Sequence, residues 1–284
     1  MSVRSDALFS VEGRTIVLTG GYGKLGRVFA EGLLEHGATV VVIERAGAAA
    51  LIAEVFPDQA ASNRLLVVEA DVTRRESLET ALETIRARGL EPDGLINNAA
   101  IDSPPDSPPE ENGPFENYPE ASWNRVFDVN TKGVFLCCQV FGAAMARRKS
   151  GSIINIGSIY GVVSPDQALY QYRRDRGEVF FKPVAYSASK SALYNLTRYL
   201  AVYWGPKNVR TNIITFAGVF GSQDEAFLNA YAAKIPLRRG AAKEGLANMA
   251  SARDYLGALI YLLSDASSYV TGSEMRVDGG FTAL

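Results

Sequence analysis

Thr19-Gly20-Gly21-Tyr22-Gly23-Lys24-Leu25-Gly26 closes an apolar run, Thr15–Thr19, and opens an amphipathic stretch over 24–35. In such a strand-turn-helix context, glycines let the chain turn tightly. They also let backbone N–H groups at the helix N-terminus approach a pyrophosphate. Taken alone, the segment also admits the plainer reading of a glycine-rich turn. Glu44 ends the next apolar run, 18 residues after Gly26, where an acid hydrogen-bonds an adenosine ribose. Read alone, Glu44 could be a helix-start acid. Together, the two features point to a dinucleotide site.

Outward from this turn, short β-rich runs alternate with longer amphipathic ones. Thr15–Thr19, Thr39–Ile43, Leu65–Glu69, Gly94–Asn97, Ser152–Ile156, Asn208–Thr215 and Glu274–Val277 read as strands. Helical stretches lie near 24–35, 46–55, 74–88, 121–147, 186–204, 223–233 and 252–264, and Thr73-Arg-Arg-Glu76 reads as a capping box. This alternation predicts an α/β fold, a doubly wound seven-stranded parallel sheet with helices on both faces. No linker divides the pattern, so residues 1–284 read as one dinucleotide-binding (Rossmann) domain. Three segments interrupt it: 101–121, with six of the 12 prolines; the polar and aromatic 162–185; and 238–248, rich in Ala and Gly. The first two follow the fourth and fifth strands, at the carboxyl edge where α/β folds bind ligands.

Composition narrows the function. With 29 basic and 31 acidic residues among 284, nothing suggests nucleic acid or an anionic membrane as partner. No uninterrupted apolar run reaches the ~18–20 residues of a membrane span. Arg4, Asp6 and Glu12 break the apolar character of the start, unlike a signal peptide. The two cysteines, Cys137 and Cys138, are adjacent, which suits a reducing cytoplasm and excludes a disulfide scaffold. A single histidine, His36, rules out a His-rich metal site, and no metal is expected. It falls in the turn after the first helix, at the wrong end of a parallel sheet for catalysis.

Tyr186-Ser-Ala-Ser-Lys190 places a phenol and an ammonium at i and i+4, on one face of a helix. A nearby cation favours phenolate and lowers a tyrosine pKa from about 10, which makes a useful acid/base. The pattern is cheap, because 13 tyrosines and eight lysines give about 0.4 chance matches. A second match, Tyr203 to Lys207, contains Gly205 and Pro206, which should end the helix before Lys207 can face Tyr203.

The marks taken together resemble the short-chain dehydrogenase/reductase family over nearly the whole chain. They run in family order: the Gly-rich turn, Asp71-Val72, Asn97-Asn98-Ala99-Ala100, Asn130, Ser158, Tyr186 and Lys190, then Ser267–Gly272 and Asp278–Gly280. The resemblance implies that Tyr186 exchanges a proton with the reacting oxygen, and that Lys190 lowers its pKa and holds the nicotinamide ribose. It implies that Ser158 hydrogen-bonds the reacting oxygen and Asn130 supports a water relay to Lys190. Hydride passes to or from the nicotinamide. Residues Thr19 to Gly26, Glu44, Arg45, Asp71, Val72, Asn98, Ala99, Ala100, Gly218 and Val219 would contact the cofactor, with Asp71 and Val72 framing the adenine and Asn97 to Ala99 lining its channel. It further implies a homodimer or homotetramer, packed through the stretches 121–147 and 186–204, with Phe281–Leu284 at a second interface.

Three departures stand out. Lys24 occupies a position where ordinary members have glycine, a spacing that looks more like the extended branch of epimerases and dehydratases, while the rest of the chain resembles the shorter, reductase-like branch. Phe216-Ala217 replaces the expected Pro-Gly. Ser158 and Tyr186 are 28 positions apart, about twice the family's usual spacing, and the extra residues form the 162–185 insertion. Glu44 should bind a 2′-hydroxyl and repel a 2′-phosphate, favouring NAD; Arg45 and Lys24 could instead cradle the phosphate of NADP. The stretch from Ser158 to Tyr170 with the insertion resembles members associated with bacterial surface-sugar and flagellin modification. Arg173, Arg174, Arg176 and Lys182 exceed Asp175 and Glu178 in charge, which suits capture of an anionic sugar derivative; a solvated charged loop is the alternative. The leading reading is an NAD(P)-dependent alcohol/ketone oxidoreductase on a sugar-like or anionic carbohydrate substrate. The alternatives are an NADPH-dependent 3-oxoacyl-thioester or general carbonyl reductase and a non-catalytic nucleotide-binding protein, the last opposed by the retention of Ser158, Tyr186 and Lys190.

Overall fold

Within each β-run, successive side chains face opposite sides of the sheet, and this alternation divides the interior into two cores. The computed structural model describes residues 5–102, 108–221, 223–238 and 248–284. The strands β1 (Thr15–Thr19), β2 (Thr39–Glu44), β3 (Leu65–Glu69), β4 (Gly94–Asn97), β5 (Gly151–Ser158), β6 (Val209–Phe216) and β7 (Glu274–Val277) form one sheet. Every pairing is parallel, and the order is β3-β2-β1-β4-β5-β6-β7. The helices used below are α1 (Lys24–Glu35), α2 (Arg75–Ala87), α3 (Glu120–Arg148), α4 (Gln171–Asp175), α5 (Val184–Trp204), α6 (Glu225–Ala233) and α7 (Leu256–Leu263).

Val17, Val41, Ile43 and Ile153 point to the side covered by α2, α3 and α5, where they pack with Leu78, Ile85, Phe141, Leu193 and Trp204. Ile16, Leu18, Val40, Val42, Ile154 and Ile156 point to the side covered by α1 and α7, against Phe29, Leu33 and Leu259. Burying each such side chain stabilises the fold by about 1.5–3 kcal/mol relative to exposure. Sandwiching by helices on both faces explains why these strands read as nearly continuous apolar runs.

Several boundaries differ from the sequence reading. β5 extends two residues, so Ser158 is itself the last strand residue. The stretch 46–55 forms a 3-10 turn, Ala48–Leu51, and one α-turn, Ile52–Val55; Phe56 leaves the helical region because Pro57 follows it. The Thr73/Glu76 capping box does not form. Asp71 instead accepts hydrogen bonds from both the N–H and the hydroxyl of Thr73, and α2 begins after Arg74 without a side-chain cap. A capping box does occur before α7, where Ser251 and Asp254 cap each other. Ser251→Ala is expected to lower stability by about 1 kcal/mol, read as a reduced urea midpoint at unchanged slope.

α3 contains two π-turns, Asp128–Gly133 and Cys138–Gly142. Although no uninterrupted apolar run is long enough, this helix is apolar enough on average to cross a membrane by length and composition. Since 56% of the relevant window is buried against the rest of the protein, α3 behaves as a core helix. Cys137 and Cys138 are both buried in it. His36 follows α1 and bonds through Nδ1 to the Gly32 carbonyl. α5 ends at Trp204, and Lys207 belongs to a separate 3-10 turn, so the Tyr203/Lys207 pair does not share a helix face.

Of the interruptions, 101–121 holds short 3-10 turns begun by Pro108 and Pro114, with Pro119 starting α3; Pro104 and Pro105 lie outside the described residues. The 162–185 insertion is ordered around a third, smaller core of Leu169, Tyr170, Phe180 and Tyr231. Aromatic rings run from Phe180 through Tyr170, Phe227 and Tyr231 to Phe281, with successive centroids 5.0–5.5 Å apart. Phe281, expected at an intermolecular interface, thus packs its ring within the chain. The third interruption, 238–248, lies almost wholly outside the described residues.

Candidate active site

The reversal of strand order between β1 and β4 opens a crevice at the carboxyl edge of the sheet. A cavity of about 620 Å³ lies there, walled by the ends of β5 and β6, the 162–185 insertion and the start of α6. Ser158, Tyr186 and Lys190 line it, together with Asn98, Ala100, Gly218 and Val219. Four widely separated pieces of sequence meet here because each follows a strand whose carboxyl end points to this edge.

Tyr186 and Lys190 occupy successive turns of α5, with the ammonium 5.9 Å from the phenol ring centre. Lys190 is buried and donates to the Ile156 carbonyl at 2.8 Å. Burial pushes its pKa down to about 8, and the nearby Asp102 carboxylate opposes that shift. Burial and Asp102 push the Tyr186 phenol up, while a hydrogen bond from Ser158 opposes them. The expectation of a phenol pKa lowered by Lys190 is therefore not met in the protein alone, where desolvation dominates. A phenol that stays protonated at neutral pH is suited to donate.

Asn130 sits in the first π-turn of α3, fully buried. Its amide donates to the Ile101 carbonyl and to Ser189, and its oxygen accepts from the Ile101 N–H. Both N–H donors of the side chain are thereby occupied, so it ties the β4 exit to α5. Asn97 and Asn98 act similarly: Asn97 bonds Asn155 across the sheet, and Asn98 holds the Thr19 and Gly20 carbonyls.

The Gly-rich turn has the shape of a cradle. Gly20 has φ +67°, and a Cβ there would come within 2.8 Å of the Ala99 backbone. A Cβ on Gly26 would meet the Gly20 carbonyl at 2.2 Å. The turn therefore brings bare backbone to the start of α1, the arrangement a pyrophosphate needs. Glu44 ends β2 and accepts from the Tyr22 and Arg45 N–H groups at 3.2 and 3.1 Å. Each carboxylate oxygen retains acceptor capacity for a ribose hydroxyl. Lys24, a candidate for a 2′-phosphate, reaches away from Glu44 and donates to the Phe220 carbonyl. Hydrogen bonds from Thr73 and the Arg74 and Lys132 charges outweigh the effect of burial on Asp71 and hold its carboxyl below the ordinary range. Gly218 gives its N–H to the Tyr231 hydroxyl at 2.6 Å, which fixes the turn where Phe216-Ala217 replaces Pro-Gly.

Folding pairs the charges of the insertion. Arg173 binds Glu178, Arg176 binds Asp224 and Lys182 binds Asp102, at 2.6, 2.7 and 2.5 Å respectively. All six line the cavity. Arg174 does not; its guanidinium donates to the Gln167 and Phe180 carbonyls and to Gln171 inside the insertion. The excess positive charge apparent along the sequence is thus met by acids, two of them from distant segments. Asp102, Tyr160 and Asp224 escaped the sequence reading. All three lie just past the carboxyl ends of β4, β5 and β6, and that position was the available signal. Among the described residues, no three His, Cys, Asp or Glu side chains gather as metal ligands.

A family model described as enoyl-(acyl carrier protein) reductase matches residues 24–282. The galactitol 2-dehydrogenase of Rhizobium johnstonii is 32% identical over 274 residues, covering 96% of this chain and 97% of the relative. Among solved structures, a short-chain dehydrogenase from Leptospira borgpetersenii with bound NAD+ is similar at TM-score 0.79 and 29% identity, covering 99% of this chain and 97% of that one. A gluconate 5-dehydrogenase from Burkholderia cenocepacia, in complex with NADP and tartrate, is similar at TM-score 0.82 and 25% identity, covering 99% and 100%.

Proposed function

Because the chain belongs to the short-chain dehydrogenase/reductase family, we propose that it interconverts a secondary alcohol and a ketone on a carbohydrate-like substrate, with NAD(P) as hydride carrier. One observation carries the assignment of roles. The Tyr186 phenol, hydrogen-bonded to Ser158 and one helical turn from Lys190, faces a cavity at the sheet's carboxyl edge. In reduction Tyr186 gives its proton to the carbonyl oxygen, which Ser158 also contacts; in oxidation Tyr186 takes the proton back. Lys190 supplies positive charge beside the phenolate so formed, and Asn130 fixes the wall on which both stand. The nicotinamide, when bound, supplies or accepts the hydride. The Gly20–Gly26 turn would hold its pyrophosphate, Glu44 the adenosine ribose, and Asp71 with Val72 the adenine. An acyl-thioester reading fits less well, since three ion pairs line the cavity.

The preferred carrier is NAD. Glu44 ends β2 with its carboxylate against the Tyr22 N–H of the Gly-rich turn, and the Lys24 ammonium is engaged at Phe220. Fluorescence titration is expected to give at least tenfold tighter binding of NADH than NADPH, with Glu44→Ala narrowing the gap. Tighter NADPH binding would place Arg45 in control and bring the carbonyl-reductase reading forward. The single continuous sheet supports reading 1–284 as one domain, and the exposed Phe135, Tyr199, Val202 and Tyr203 on α3 and α5 support a homo-oligomer.

A further inference from the structure

We propose that the Lys182–Asp102 ion pair selects a neutral, polyhydroxylated substrate and rejects its carboxylated counterpart. This inference rests on the carbohydrate reading above and deepens it.

Lys182 stands four residues before Tyr186, at the point where the insertion runs into α5. Its side chain is only 8% exposed, and its ammonium lies 5.2 Å from the Tyr186 ring centre, against 5.9 Å for Lys190. The reacting phenol therefore has an ammonium from the insertion as well as one from its own helix. The position of Lys182 is fixed by the backbone: Gln167 accepts from its N–H at 2.9 Å and donates to its carbonyl at 3.1 Å. Asp102 comes from the opposite wall, just past β4, and its carboxylate is close enough to act on Tyr160, Tyr170, Tyr186 and Lys190. The pair therefore lines the cavity, with its ammonium beside the phenol proposed to carry the proton.

Its charge decides what can enter. The insertion's cavity-lining cations are matched one for one by Glu178, Asp224 and Asp102. A substrate carboxylate would bring a fourth negative charge among three acids already paired with three of the cavity's four cations. The fourth cation, Lys190, is buried against the Ile156 carbonyl. To reach Lys182 it would have to displace the half-exposed Asp102 carboxylate, and the almost wholly buried ammonium would only exchange one anion for another. A hydroxyl meets no such conflict, because it donates to Asp102 and accepts from Lys182 at the same time. Two adjacent hydroxyls beside the reacting carbon would use both members of the pair without separating them. Electrostatic matching of this kind contributes specificity more than affinity.

The test compares a hexitol with the hexonate of the same chain length, using the full-length enzyme and its preferred cofactor. Wild type should favour the hexitol at least tenfold in kcat/KM. Asp102→Asn removes the internal anion, so the hexonate-to-hexitol ratio should rise tenfold or more, mainly through a lower KM for the hexonate. Lys182→Met removes the cation and leaves the acid, so the ratio should fall further while the KM for the hexitol rises. A purely structural pair would lower stability in both variants without moving the ratio in opposite directions. Cofactor titration on the same samples reports whether each variant is folded; if Asp102→Asn is not, the direction seen in Lys182→Met decides. A wild type that prefers the hexonate, or ratios within twofold of wild type in the folded variants, overturns the inference while leaving the carbohydrate reading intact. Turnover of 3-oxoacyl thioesters with no turnover of either sugar derivative overturns both.

Discussion

Tyr186→Phe is expected to lower kcat/KM for ketone reduction about 10³-fold while changing the dissociation constant for NADH less than tenfold. The substitution keeps the ring and removes only the hydroxyl, so what is lost is the proton placed at the reacting oxygen. General acid-base catalysis contributes about 10²–10⁴-fold, which sets the size of the loss. The same residue sets the pH profile. Burial and the Asp102 carboxylate favour the neutral phenol, so the proton donor is present throughout the neutral range. Reduction by wild type should therefore be flat between about pH 6 and 8 as far as Tyr186 is concerned. Alcohol oxidation needs the phenolate and should rise with pH over the same interval. Tyr186→Phe should abolish that rise. Retention of wild-type activity in the variant would remove Tyr186 from the chemistry and with it the proposed mechanism.

The sequence was most informative where backbone geometry is set by local residues. Short apolar runs and the helical spacing between them located all seven strands, and the Gly20–Gly26 turn located the crevice. Such patterns are legible because a strand's two faces and a glycine's freedom are properties of a few neighbouring residues. Charge was read less well. Arg173 and Glu178 are five apart, but Arg176 meets Asp224 and Lys182 meets Asp102 across 48 and 80 residues. An excess counted along one segment says little when the compensating acids come from other strands' ends. The phenol's pKa failed for a related reason. Spacing places Lys190 one turn from Tyr186, yet how much solvent the fold removes from each is a property of the whole cavity. The Thr73/Glu76 motif failed on competition, since Asp71, two residues upstream, captured the Thr73 hydroxyl first.

Lys190→Met should reduce activity strongly and, at neutral pH, make the protein more stable. The ammonium is buried, and its pKa falls from the ordinary 10.5 to about 8 through desolvation. At pH 7 the folded protein therefore carries a charge it would hold more comfortably unfolded. A shift of that size corresponds to a cost of roughly 3 kcal/mol at the standard conversion per pKa unit. Methionine has a similar length and no charge, so it removes this cost. It also leaves the Ile156 carbonyl without the Lys190 donor, a loss of about 1 kcal/mol, so a net gain of roughly 2 kcal/mol is expected. The pH dependence follows from the direction of the shift. Below pH 8 the lysine is protonated in both states, and the full difference between variant and wild type is present. Between pH 8 and 10.5 the folded lysine loses its proton while the unfolded one keeps it, so wild type gains stability with rising pH and the difference shrinks. Above that interval the variant should be no more stable than wild type, and slightly less so through the lost Lys190 donor. Denaturant midpoints at pH 7 and 10.5 measure this, alongside turnover. A variant that is inactive yet more stable at pH 7 would mean that the fold holds Lys190 charged against its own stability for the sake of the reaction. A variant that is less stable at pH 7 would mean that Lys190 is chiefly a structural donor to Ile156, and its proposed part beside the phenolate would lose its physical basis.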